Sequence, residues 1–580
     1  MLASPPPSRD FPVLPAAVEC HWLPSWRLER NTDASMYPSS RTIKASVSAA
    51  SICIARSAHT TSKVRSRYFP LISIDTLPDD VLLEVFDHYR KLSADHWTHL
   101  QGWYKLAHTC LRWRQLVFAS SFRLNLQLRC TFGTPVTDMI NHSPPFPLIL
   151  DYGPHLLKTW TSADEDGLLF ALQHLSRTHE IMLSAPQSTL AEIFNAMLDT
   201  APMLRRLTLH TESTEFVLPR CFLDGDAPHL RHLELHGVSL ATLHPLLPST
   251  TSLVSLILER VPSSVYFSPE SLIVHIRTMP YLRILSIGFL SAVPPRPGLG
   301  SQRSFPPGQT SQARIELPAL KQLVYRGASA YLEHLLARIR TPVIQDIDIT
   351  LFNQLTLKIP RICTFISDLE SFRPTTARID FAQTSAHILL FVPSVALQSS
   401  ESQSQFPDIS VSVSCARFDF QVSAMAQICS GLSGTGTVSG AELAHANLVL
   451  PVEELILGFH PSEFPEEWRG GEDVVDSSLW RILLTPFRQT RTLRVHLALA
   501  ADLEHALRPS QPQLDGSAPV GEALGLEQEL LFPELRSIVL LHGDDERVLT
   551  CASEALRSFV DERNRAGHLV SLEYQDLSRL

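Results

Sequence analysis

One short apolar pattern recurs through most of the chain and constrains the fold more than any other feature. It places apolar residues at its positions 1, 4 and 6, as in Leu204, Leu207 and Leu209. The alternation at positions 4 and 6 is typical of a β-strand with one buried face. The pattern recurs at Leu230/Leu233/Leu235, Leu253/Leu256/Leu258, Leu282/Leu285/Ile287, Leu320/Leu323/Tyr325, Ile344/Ile347/Ile349, Val452/Leu455/Leu457 and Leu535/Ile538/Leu540.

The spacing of the pattern indicates the fold class. Its first four middle positions, Leu207, Leu233, Leu256 and Leu285, are separated by 26, 23 and 29 residues. Leucine-rich repeats are roughly 20–29 residues long, and each contributes one strand and one helix or turn. Helical spacing of apolar residues lies between the strands, as in 332–339. We therefore expect an α/β fold over residues 122–580, an irregular leucine-rich-repeat-like solenoid whose units bury their leucines against each other.

The pattern departs from a regular leucine-rich repeat at its ninth position. Regular repeats place Asn or Cys there, and this chain has Glu212, Val238, Val261, Leu290 and Ala328. This departure predicts uneven repeats with loop insertions. Stretches rich in Pro, Gly, Ser or acidic residues indicate insertions near 291–313, 396–408, 430–440, 460–478 and 508–528.

The chain before the repeats divides into two parts. Residues 1–70 have clusters of Pro and Ser and no sustained period, so we expect a disordered tail. Helical spacing begins after it, with Pro78 in the first turn, where its missing N–H costs nothing. Two apolar helical faces follow, at Leu77/Val81/Leu82/Val85/Phe86/Tyr89 and at Trp103/Leu106/Ala107/Cys110/Trp113/Val117.

The two helical segments together resemble an F-box. The stretch from Leu77 to Phe86 has Leu-Pro, carboxylates and an amphipathic helix that ends in Val-Phe. The stretch from Leu106 to Arg114 has Thr-Cys-x-x-Trp-Arg. With the repeats that follow, the chain resembles the F-box proteins abundant in mushroom-forming fungi, and the F-box covers 74–121. Its connector, from Arg90 to Gly102, is longer than in most F-boxes.

The resemblance implies a function. An F-box of three helices docks on a Skp-type adaptor, which bridges to a cullin, and the repeats bind a protein substrate for ubiquitination. The alternative is a repeat scaffold outside a cullin complex, whose helical residues only hold that unit together. Carried over to this sequence, the adaptor-docking residues are Leu77, Pro78, Val81, Leu82, Val85, Phe86, Leu106, Cys110 and Trp113.

Composition and missing motifs argue against other classes. The net charge of −10 disfavours nucleic-acid binding. The sequence has no apolar run long enough for a membrane span. It also has no P-loop, nucleophile elbow, zinc-protease motif or paired Cys-x-x-Cys, so we expect no catalytic residue, no metal and no cofactor. The nine cysteines are expected to be free thiols in the cytoplasm or nucleus.

Overall fold

The computed structural model describes only part of the chain. The described residues are 74–92, 102–156, 159–212, 216–239, 246–262, 267–290, 314–354, 357–369, 372–392, 409–433, 450–459, 475–508, 530–542 and 546–576. The predicted tail lies outside them, as do the predicted insertions for all or most of their length.

The chain divides into two compact units, Met1–Leu77 and Pro78–Leu580. The described part of the first unit is a 3-10 helix, Ile74–Thr76, followed by Leu77. The Leu77 N–H donates to the Ile74 carbonyl at 3.3 Å, which closes this turn. All elements below belong to the second unit.

The described part of the second unit contains fourteen α-helices. They are α1 Asp79–Leu92, α2 Gly102–Ala107, α3 Leu111–Ala119, α4 Val136–His142, α5 Ser162–Leu172, α6 Gln187–Ala196, α7 Leu246–Ser249, α8 Pro269–Ile276, α9 Ser329–Leu336, α10 Pro360–Ser367, α11 Phe418–Leu432, α12 Ser477–Leu484, α13 Ala500–Leu507 and α14 Glu546–Arg565.

Twenty strands are described. They are β1 Leu128–Thr131, β2 Leu148–Tyr152, β3 Thr178–Ser184, β4 Arg206–His210, β5 Phe216–Val217, β6 His232–His236, β7 Val238–Ser239, β8 Ser255–Val261, β9 Ile284–Phe289, β10 Ile315–Glu316, β11 Gln322–Gly327, β12 Ile339–Arg340, β13 Asp346–Phe352, β14 Thr376–Phe381, β15 Ser385–Phe391, β16 Ile409–Ser414, β17 Glu454–Phe459, β18 Thr492–His496, β19 Ser537–His542 and β20 Ser571–Asp576.

Sixteen of these strands form one sheet. Its order is β1-β2-β3-β4-β6-β8-β9-β11-β13-β16-β15-β14-β17-β18-β19-β20. Two short parallel pairs, β5 with β7 and β10 with β12, lie outside it. The α/β class predicted from the sequence is therefore confirmed, with one large sheet and many helices.

The leucine pattern sets the register of the sheet. Position 4 of one strand pairs with position 4 of the next, and these side chains are almost completely buried. Alternation has a period of two, so position 6 falls on the same buried face. The position-4 row contains Leu207, Leu233, Leu256, Leu285, Leu323 and Ile347 in neighbouring strands.

Main-chain bonds take over where an asparagine ladder would lie. The Thr211 N–H donates to the His236 carbonyl at 2.9 Å, and the Gly237 N–H donates to the Glu259 carbonyl at 2.9 Å. At the ninth position, Val238 and Val261 are buried as part of the core. The ends of these strands are therefore joined by backbone bonds and apolar packing, without an amide side chain.

One strand interrupts the parallel order. Strand β15 is antiparallel to both of its neighbours, β14 and β16. Its Ile388 pairs with Ile379 on one side and Val411 on the other, and all three are buried. Reversal leaves the period of two unchanged, so the buried row continues across the reversed strand.

Two strands carry the pattern with a polar first position, and for this reason the apolar pattern missed them. Thr178 precedes Ile181 in β3, and Thr490 precedes Leu493 just before β18. Both threonines are fully buried, and each hydroxyl donates to a backbone carbonyl, that of His174 at 3.0 Å and that of Val452 at 3.4 Å. A satisfied hydroxyl can replace leucine at this position.

Before the leucine pattern, the alternation of Leu124, Leu126 and Leu128 between Phe122 and Arg129 is itself typical of a strand, and this prediction begins the strand too early. The strand β1 starts at Leu128, because Asn125 has a φ of 48° and turns the chain before it. Phe122 is 98% exposed.

Among the described helices, none has the length and apolarity that crossing a membrane requires.

We predict that Leu256→Ala lowers the free energy of unfolding by about 2–5 kcal/mol, because Leu256 is fully buried at position 4. Chemical denaturation followed by circular dichroism measures this change. The matched control is Ile257→Ala, one residue further along the same strand and only partly buried. An equal loss in the two variants would contradict the assignment of the buried face.

Candidate protein-docking sites

The local sequence explains the three helices in the segment that resembles an F-box. Helix α1 has Asp79 and Asp80 in its first turn and Arg90 and Lys91 in its last, which suits the helix dipole. Helix α3 begins after Cys110, whose Sγ accepts the N–H of Trp113 at 3.4 Å. This thiol therefore caps α3 at its amino end.

Helix α1 has a buried face and an exposed apolar face. Leu82 and Phe86 are fully buried, whereas Val81 is 42% exposed and Val85 is 45% exposed. The spacing of four residues within each pair places its members on one side of the helix. The buried pair holds α1 in place, and the exposed pair presents apolar surface to solvent.

Three contacts hold α1 against the polypeptide that follows it. The rings of Phe86 and Trp113 have their centroids 4.8 Å apart. The Arg112 guanidinium pairs with Asp79 at 2.6 Å. Arg123 pairs with Glu84, from the segment that follows α3. The two ion pairs are exposed and contribute little, so the contact of the buried Phe86 ring with the half-buried Trp113 ring provides most of the stabilisation.

The other predicted docking residues differ in exposure. Pro78 is exposed, and Leu77 is half-buried. Leu106, Cys110 and Trp113 are half-buried in the second unit. Cys110 and Trp113 thus take part in a cap and a ring contact, and their contact with an adaptor stays a prediction.

Two exposed apolar side chains of this segment were not predicted from the sequence. Leu111 is 65% exposed at the start of α3, and Phe122 is 98% exposed just after this helix. In this stretch the F-box resemblance depends on Trp113 and Arg114, and the apolar alternation places Phe122 at the start of a predicted strand. Neither residue fits the helical spacing used to find the docking face.

An aromatic cluster joins the helices to the first strands of the sheet. The Trp103 Nε1–H donates to the Gln127 carbonyl at 3.1 Å, next to β1. The Trp103 ring lies 5.5 Å from that of Phe146 and 6.1 Å from that of Phe118. The helical segment and the edge of the sheet therefore share one core.

A second candidate site lies on the sheet face opposite the leucines. His236 in β6 lies between Glu234 at 2.8 Å and Glu259 at 3.3 Å. The free oxygens of these carboxylates accept hydroxyls, from Thr208 and Ser286 respectively, each at 3.3 Å. This charge cluster therefore spans strands β4, β6, β8 and β9.

Hydrogen bonding within the charge cluster shifts its proton equilibria. The bonds to Glu234 and then Glu259 raise the pKa of His236 to about 9. The bond from His236 lowers the pKa of each of these two carboxyls. Burial, followed by the positive His236, lowers the pKa of the neighbouring His210, whose ring centroid is 5.6 Å away. At neutral pH the cluster thus has one imidazolium between two carboxylates.

The arrangement offers no metal site among the described residues. In that part of the chain, no three His, Cys, Asp or Glu side chains are placed to hold a metal ion. Strand β13 has two carboxylates close together, those of Asp346 and Asp348. The Asp346 carboxylate accepts an N–H from the Gln322 side chain of β11 at 2.8 Å.

We predict that the stabilising effect of His236 depends on pH. Its folded pKa of about 9 lies above the unfolded value of 6.5, so its contribution is complete below about pH 6.5. The contribution decreases as the pH rises through 9. The difference in free energy of unfolding between the native protein and His236→Gln should therefore shrink between pH 6.5 and 9.5.

His232→Gln is the control for this series. His232 lies on the same strand, and burial followed by Arg206 lowers its pKa. Because folding lowers this pKa, any pH dependence that His232 contributes has the opposite sign to that of His236, and its difference should not shrink as the pH rises. A decrease of the same size for both variants would show that the charge cluster is not its source.

These candidate sites rest on the chain's own residues. No family model matches the sequence, and no curated protein matches it either.

Proposed function

We propose that the chain is a substrate-recruiting adaptor subunit of a Skp/cullin/F-box type ubiquitin ligase. Helices α1 to α3 dock the Skp-type adaptor, which bridges to the cullin. The strands and helices that follow form an irregular leucine-rich-repeat solenoid that binds a protein substrate. The chain itself is non-catalytic in this proposal.

The observation that carries the proposal is the exposed apolar face of α1. Val81 and Val85 lie in the stretch that resembles an F-box, and each is more than 40% exposed. Apolar side chains at the centre of an interface supply much of its binding energy. Pro78 and Leu111 add exposed surface in the same helical segment. We therefore assign adaptor contact to the exposed residues and core packing to Leu82 and Phe86.

The regular register of the strands supports a solenoid as the substrate-binding part. Each strand of the leucine pattern pairs in parallel with the strand of a neighbouring repeat. Stacked repeats present a long face made of side chains that the core does not use. Such a face suits protein binding, because it offers a large area and no enclosed pocket.

The alternative function is a repeat scaffold that acts outside a cullin complex. The aromatic contacts of Trp103 with Phe118 and Phe146 favour it. Terminal elements of repeat arrays cover an otherwise open apolar end. In this alternative α1 to α3 only close the first strand, and the exposed valines bind nothing.

We predict that the double substitution Val81→Asp, Val85→Asp abolishes co-purification with a Skp-type adaptor. Two carboxylates on this face would have to lose their water when the adaptor docks, which opposes binding strongly. Affinity purification of the full chain with the adaptor measures the loss. Circular dichroism and thermal unfolding should remain native, because both valines are exposed.

The matched control is Glu84→Ala, His88→Ala, two exposed polar positions of the same helix. This variant should keep the adaptor. Retained binding by the valine variant, or no binding by the native chain, would instead favour the scaffold.

A further inference from the structure

Four exposed basic side chains line the amino ends of neighbouring strands. They occupy position 2 of the leucine pattern, directly after the first buried leucine. All four are exposed. We call them the basic row, and its members are Arg205, Arg231, Arg283 and Lys321. Val254 occupies the same position between the second and third members.

Backbone hydrogen bonds fix the spacing of the basic row. The Arg231 N–H donates to the Arg205 carbonyl at 2.8 Å, and the Lys321 N–H donates to the Arg283 carbonyl at 2.8 Å. Between these pairs, Val254 donates to Arg231 and receives the Arg283 N–H at 2.7 Å. The row therefore follows strands β4, β6, β8, β9 and β11 in order. At about 4.8 Å per strand step it extends for about 19 Å.

The charged groups of the basic row have no bonded partner among the described residues. No hydrogen bond or ion pair joins any of the four side chains to a described residue. By contrast, the neighbouring Arg206 lies 3.8 Å from Glu180. The positive charge also affects nearby groups, because Arg205, after burial, lowers the pKa of His179. Four aligned cations without counter-charges create a positive strip.

We propose that the basic row binds an extended acidic segment of a partner protein, rich in Asp and Glu. This inference rests on the proposed function, in which the partner is the substrate. An extended chain advances about 3.3 Å per residue, so six or seven residues cover the length of the row. Arginine and lysine on long side chains can reach carboxylates at this spacing.

Charge and surroundings favour an acidic protein segment over nucleic acid. The chain as a whole carries a net charge of −10, which repels a long polyanion beyond the row. The row also ends on both sides, because position 2 holds His179 on the strand before it and Gln345 on the strand after it. A short acidic segment fits between these limits. Tyr281, 64% exposed and two residues before Arg283, offers such a segment an apolar contact.

The test uses the full chain and a fluorescent octaglutamate peptide. We expect anisotropy to show binding at about 50 mM salt and weaker binding at about 200 mM salt, because exposed charge contacts are screened. Arg231→Gln, Arg283→Gln should weaken binding roughly fivefold or more, since each exposed charge contact is worth about a two- to fivefold change. No binding by the native chain would overturn the proposal.

The matched control is Arg220→Gln, Arg277→Gln, which removes two exposed arginines that do not belong to the row. Equal weakening by both double variants would overturn the row as the site. Tighter binding of an oligonucleotide than of the peptide would overturn the choice of partner. Adaptor co-purification is measured on the same proteins and should be unchanged by the row variant. Failure of the native chain to bind the adaptor would refute the proposed function separately from peptide binding.

Discussion

The burial of apolar side chains between neighbouring strands is the constraint on which the rest of the structure depends. Position 4 of one strand lies beside position 4 of the next, as Leu233 lies between Leu207 and Leu256. No strand can bury this residue without both neighbours, so stability accumulates along the sheet. The helices also depend on their neighbours. The Glu333 carboxylate of α9 accepts the N–H groups of Arg361 and Ile362 at the start of α10, which the next unit supplies.

The constraint acts on one face and at one period, and this explains what the sequence could predict. Leu207, Leu256 and Leu323 are found where alternation placed them, because burial on one face admits few other residues. Thr178 and Thr490 escaped detection, since a hydroxyl that reaches a carbonyl is as acceptable as leucine. These positions are determined by hydrogen bonds that no apolar pattern contains.

The reversed strand shows a different limit. Alternation in β15, with Ala386, Ile388 and Leu390 buried, predicts a strand and its buried face. It contains no information about direction, because a period of two reads the same from either end. The tight turn between Phe381 and Ser385 joins β14 to β15 and makes them antiparallel. Strand β16, which comes later in the sequence, pairs with the other edge of β15. Direction is therefore a property of the connections.

The candidate sites lie where the burial constraint is relaxed. On α1 the core needs Leu82 and Phe86, and sequence spacing assigned Val81 and Val85 to the same face although they are exposed. An apolar helical face 100° or more wide includes both the residues at its centre, which are buried, and those at its edges, which are exposed. Periodicity alone therefore cannot separate core residues from docking residues. On the sheet, position 2 is fixed by its backbone bonds alone, and its side chain can vary without cost to the core. Four cations aligned at such a position are therefore not explained by folding, and contact with an acidic partner is the function that we propose for them.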